Sequence, residues 1–132
     1  MTSKIRRVIG VSICLSPVVL LGASIAASFG ANRAPFSAVA IAVMALAIGA
    51  LNFYLSFIRI RWIHRRRGSL DGVASVSGFP MVGTLLALAS GVLGFGSIGT
   101  AGIALIAVMI DTGGAPRFLV ATWRDKSLWD GL

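Results

Sequence analysis

Glutamate is missing from this 132-residue chain, whose only acids are Asp71, Asp111, Asp125 and Asp130. Charged residues make up 12% of the sequence, about half the share of a soluble domain. A soluble fold of this size needs far more charge to cover its surface, so water is excluded as its main solvent. The single cysteine, Cys14, rules out an intrachain disulfide. Cys14 follows Ile13, not a small residue, and its apolar stretch comes after it. A lipoprotein site is therefore excluded, and Cys14 reads as a small core residue of a membrane helix. No metal-ligand spacing, cofactor motif or catalytic constellation is present, so neither an enzyme nor a cofactor is expected.

What the chain does have is apolar length: hydrophobic residues make up 57% of it. Its +8 net charge comes from twelve Lys and Arg residues. On a soluble face that balance would point to nucleic acid. Here the basic residues cluster between apolar runs, as in a membrane topology code.

The first run, residues 8–29, is 22 residues long, enough at about 1.5 Å per residue to cross the ~30 Å hydrocarbon layer. Lys4, Arg6 and Arg7 before it also fit the start of a signal peptide. A signal's apolar region is shorter, about 7–15 residues, so a retained helix is expected. Pro17 frees the Ile13 carbonyl and predicts a kink, with Ser12 and Ser16 placed to satisfy the exposed backbone. Residues 30–35 form a turn, with Gly30 ending one helix and Pro35 opening the next, and so short a loop forces an antiparallel hairpin. The second run covers residues 36–58 and leads into Arg59, Arg61, Arg65, Arg66 and Arg67, a strong cytoplasmic stop. A basic loop is expected over 59–72.

Residues 73–110 are too long for one helix and short for two. Residues 95–99 are the natural place to fold back, giving helices over about 80–95 and 100–110. A single span there would leave the C-terminus outside. Arg117, Arg124 and Lys126 favour the cytoplasm instead, and then only Arg33 of the twelve basic residues faces out. Trp62, Trp123 and Trp129 then fall at one interface. The expected fold is an all-α integral membrane protein: four short transmembrane helices in two antiparallel hairpins, N-in and C-in, with an interfacial segment over 115–132 that begins with Pro116 in the first turn of a short helix.

Small residues recur at helical spacing in the second half: Ala87 with Gly91, Ser90 with Gly94, Gly99 with Gly102. Lipid gives helices no hydrophobic reason to associate, so they associate where small side chains let backbones approach. Gly91, Gly94, Gly99 and Gly102 are thus packing positions, within the chain or between chains. Asp111-Thr112-Gly113 resembles the active-site triplet of aspartic proteases. Those need two facing copies on a β scaffold, and this chain has one copy and no strand pattern. Asp111 closes a helix C-terminus, where the dipole disfavours an anion, so Arg117 is its expected partner. An acid at such depth is also a functional candidate, as is Asn52, able to bond to a neighbouring helix. His64, among arginines, reads as interfacial.

Small multidrug transporters are similar in size and helix count, but they depend on a glutamate that this chain lacks. Small fluoride channels are similar in size, and their Asn and Phe pattern is absent. The expected function is that of a small non-enzymatic membrane protein acting by helix packing with a membrane partner, as an accessory subunit or an immunity-type protein, or as a homo-oligomer. The alternative is a small oligomeric channel or transporter for an ion or solute. The arginine cluster is expected to meet anionic lipid headgroups. Richness in Ala, Gly and Arg points to a GC-rich genome and a bacterial inner membrane.

Overall fold

The computed structural model describes residues 3–28, 33–68, 79 and 81–124, and these fold as helices with no strand among them. The elements are α1 (Ser3–Ala26), α2 (Phe36–Phe53), a π-helical turn (Tyr54–Ile58), α3 (Arg59–Arg67), α4 (Val82–Leu93), α5 (Ile98–Ile110) and α6 (Ala115–Thr122). Three stretches are long and apolar enough to cross a membrane: Lys4–Ala26, Phe36–Arg66 and Ile98–Thr122. Val82–Leu93 is a shorter apolar helix. Residues 30–32 of the first turn, the connector 69–72, Pro80 and everything from Asp125 onward, Lys126 and Trp129 included, lie outside the described residues.

Side-chain size is sorted against the usual rule for water. The central cluster is Leu21, Ala42, Ala45, Ala87, Ala101, Ala104, Ala107 and Val108. Large apolar side chains point away from it: Phe36 is 86% exposed, Met109 70% and Val120 79%. In water so much exposed apolar surface would drive association. In lipid, small residues at the contacts and large ones outside are the expected order. Together with the three spans, this sorting marks a membrane protein.

Contacts fix how the helices run past one another. α2 packs mainly against α4 and α5, and α1 packs against α5, α4 and α6. A Cβ on Gly94, at the end of α4, would come within 3.1 Å of Ala38 Cβ near the start of α2. One on Gly49 would lie 2.8 Å from the Ala107 carbonyl oxygen late in α5. At the opposite end from Asn52, Gly96 N–H donates to Ser24 Oγ at 3.0 Å. Gly96 has φ +82°, a left-handed turn that suits glycine, and it joins α4 to α5 close to the expected fold-back.

α1 runs unbroken through Pro17, which is fully buried. Ser16 Oγ donates to the Ile13 carbonyl at 2.8 Å, the acceptor that the proline cannot serve. The end of the second helix differs from expectation. The second helix does not give way to a loop at residue 59 but continues through the arginines to Arg67, where Gly68 closes it at φ +71°. Arginine is a good helix former, and extending an existing helix needs no new nucleus. α6 packs on the start of α1. Ala115 and Leu119 pack with Cys14 and Val11 of α1, and the Arg7 guanidinium lies 5.8 Å from the Trp123 ring. α5 and α6 therefore follow α1 for most of its length, with a break between them at residues 111–114.

These contacts gather charge at one end. Lys4, Arg6 and Arg7 of α1, Arg59, Arg61, Arg65 and Arg66 of α3, and Arg117 and Arg124 all lie there, whereas Arg33 lies at the other.

Candidate functional site

The break between α5 and α6 removes four residues from the helical hydrogen-bond ladder, and it does so in the protein interior. Asp111 is 1% exposed and Ala115 2%. Buried backbone groups there must find partners or cost about 1–3 kcal/mol each. Asn52, Ser56, Thr84, Asp111 and Thr112 gather at this point.

Asp111 N–H still bonds back to the Ala107 carbonyl at 3.0 Å, and Gly114 N–H reaches the Asp111 carbonyl at 3.2 Å. Gly113 N–H donates to Asp111 Oδ1 at 3.0 Å, and its carbonyl accepts from Met81 N–H at 3.0 Å. Ala115 N–H donates to Thr84 Oγ1 at 3.2 Å. Thr112 Oγ1 donates to the Asn52 carbonyl at 3.0 Å and shares a 2.8 Å hydrogen bond with Ser56 Oγ. The π-turn at Tyr54–Ile58 lies beside this cluster and carries Ser56, which faces Thr112. Helix α2, the starts of α4 and α6 and the end of α5 are thus joined in one network.

Asn52 is its hub. The side chain is fully buried, and its Nδ2 donates to Asp111 Oδ1 at 2.7 Å and to the Phe79 carbonyl at 3.1 Å. Its Oδ1 accepts from Phe79 N–H at 3.1 Å. The amide therefore pairs with both backbone groups of Phe79 as a neighbouring strand would, pinning the chain just ahead of α4 to α2.

Asp111 does not pair with Arg117. The Arg117 guanidinium lies 5.1 Å from the Phe57 ring, its side chain exposed, and no ion pair involves Asp111 among the described residues. The carboxylate is held instead by the Asn52 amide and Gly113 N–H. It also lies where two helices begin: a Cβ on Gly83, in the first turn of α4, would come 2.5 Å from Asp111 Oδ2, and one on Gly114, the residue capping α6, 3.2 Å. The positive ends of those two helix dipoles counter the negative end of α5. Oδ2 accepts no hydrogen bond. It packs against Gly83 and Gly114 instead. Neither Gly83 nor Gly114 advertises this role by spacing, and only their distance from the carboxylate reveals it.

The packing glycines separate into two groups. A Cβ on Gly91 would fall 2.8 Å from Leu21 Cδ2, and one on Gly94 2.9 Å from Thr100 Cγ2, so both serve contacts inside the chain. Nothing lies within 4 Å of the corresponding position on Gly99 or Gly102. The arginines of α3 stand away from the network, at the same end of the molecule.

If the network is architectural, removing either side of its central bond strands the other. Asn52→Ala and Asp111→Ala should each lower stability in detergent by roughly 1–3 kcal/mol, and the double variant should cost clearly less than their sum. Asp111→Asn, which keeps the acceptor oxygen, should be mild. Additive single losses, measured by reversible unfolding, would show that the two side chains act separately.

No family model, curated protein or solved structure matches the chain closely enough to assign it a family.

Proposed function

We propose that the protein is a small non-enzymatic, multi-pass protein of a bacterial inner membrane that works by packing one helix face against another membrane protein. α1, α2, α4 and the broken helix α5–α6 form the four-helix bundle, in two antiparallel hairpins with both termini in the cytoplasm. The gathering of described basic residues at one end, with Arg33 at the other, supports this orientation through the positive-inside rule.

The observation that carries the packing role is the contrast among the glycines. Gly49, Gly83, Gly91, Gly94 and Gly114 each face an atom of the chain that a Cβ would crowd. Gly99 and Gly102 face nothing, as does Gly22 of α1, and the two lie on an α5 surface that also exposes Ile98, Ile106 and Met109. A lipid-facing glycine contributes no side-chain packing, whereas against a second helix it lets two backbones approach. The partner is a second copy or a different subunit, as for an accessory or immunity-type protein. A small oligomeric channel or transporter is the second reading, favoured by the helix break beside a buried acid, since interrupted helices line the sites of many transporters. The close packing around Oδ2 and the use of Asn52 and Asp111 by the fold favour the first.

Cysteine labelling from each face of the membrane should place residues 1–5, 60–70 and 120–132 on one side. Residues 120–132 on the far side from 60–70 would replace four spans with three. A photo-cross-linking residue at Ile106 should yield an adduct in native membranes. Gly102→Leu should abolish that adduct while leaving detergent stability unchanged, and Gly91→Leu should instead destabilise the fold. If adducts form only from the outer face of α1, the packing surface is elsewhere.

A further inference from the structure

α3 continues the second span past its apolar part and makes no sizeable packing contact with any described helix beyond the π-turn it grows from. Ile58 at the end of the π-turn and Arg61, Trp62 and Arg65 of α3 line one shallow groove of about 280 Å³. Their spacing of three and four residues sets them on one face. Ile58 is 50% exposed and Trp62 54%, and the Arg66 guanidinium stacks 4.0 Å from the Trp62 ring. The one acid among the described residues, Asp111, is buried in the network and gives these arginines no counter-charge.

Residues 36–58, modestly tilted, match the ~30 Å hydrocarbon layer, which sets Ile58 at its edge and Arg61 and Arg65 within the next two turns. Guanidinium groups one turn apart on a helix face can grip a single phosphate from two sides, each through its planar fork of donors. Below them Ile58 offers an apolar wall, and the Trp62 ring belongs to the glycerol layer between.

We infer that this face of α3 is a docking site for one anionic phospholipid: Arg61 and Arg65 hold the headgroup phosphate, Trp62 lies against the glycerol region, and an acyl chain descends past Ile58. The site rests on the proposed orientation, with α3 at the cytoplasmic surface. It is narrower than general attraction of the basic cluster to a charged bilayer, because two particular arginines carry it.

The test uses the full chain with Trp123→Phe and Trp129→Phe, leaving Trp62 as sole tryptophan. The protein is reconstituted in phosphatidylcholine vesicles holding a minority of phosphatidylglycerol, with bromine quenchers on the acyl chains of one lipid or the other. Brominated phosphatidylglycerol should quench Trp62 as though enriched by about tenfold over its share of the bilayer. Arg61→Gln with Arg65→Gln should remove the enrichment, and Arg59→Gln with Arg117→Gln, which removes equal charge at the same end, should largely retain it. Inorganic phosphate at fixed ionic strength should leave it intact. No enrichment in the parent, equal loss in both double variants, or displacement by inorganic phosphate overturns the lipid site. Absence of quenching by either lipid places Trp62 outside the bilayer and overturns the placement of α3 at the membrane surface.

Discussion

A helix interrupted in an apolar interior must find partners inside the protein for the backbone groups it frees, because water is not there to take them. The break at residues 111–114 sets this requirement, and the rest of the structure is organised around meeting it. Thr84 serves the Ala115 amide, Met81 the Gly113 carbonyl, and Asp111 its own Gly113 amide. Asn52 then ties the carboxylate to α2 and to the backbone ahead of α4. Removing any one of these partners exposes a polar group with no replacement within reach.

The same requirement explains the sizes of the side chains nearby. A carboxylate can sit over the first turn of α4 only if that turn carries no side chain at Gly83. α2 approaches α5 closely enough for Asn52 to reach Asp111 because Gly49 and the core alanines leave the backbones room. With no hydrophobic drive between helices in lipid, close backbone contact and the polar network supply the cohesion. On this view Asp111 joins the end of α5 to α2, and the small residues let the helices come close enough for Asn52 to reach it.

Much of the architecture is legible in the sequence, because length, apolar content and turn residues are local properties. The apolar spans, the role of Ser16 beside Pro17, the fold-back near Gly96 and the helix opening at Pro116 all follow from neighbours in the chain. Asn52 and Asp111 stand out singly as polar residues in an apolar background. Their union does not, since they are 59 positions apart and only the packing of α2 on α5 brings them together. The dipole argument at the end of α5 points to the nearest cation, Arg117, which lies against the Phe57 ring instead. The groups that hold the Asp111 carboxylate are Gly113 N–H and the Asn52 amide of α2, which meets it only after the helices have packed. The π-turn has no sequence signal, and its position becomes intelligible only once Ser56 is seen facing Thr112.

The central claim is that the broken helix is sealed by side chains from elsewhere in the fold. Amide hydrogen exchange at Gly113 and Ala115, in the protein held in lipid nanodiscs, tests it directly. The network predicts exchange as slow as for amides in the middle of α5, and a sharp acceleration at both positions in Asn52→Ala, with the α1 amides unaffected. Rapid exchange at Gly113 and Ala115 in the unaltered protein would show that water reaches the break, and would contradict the account.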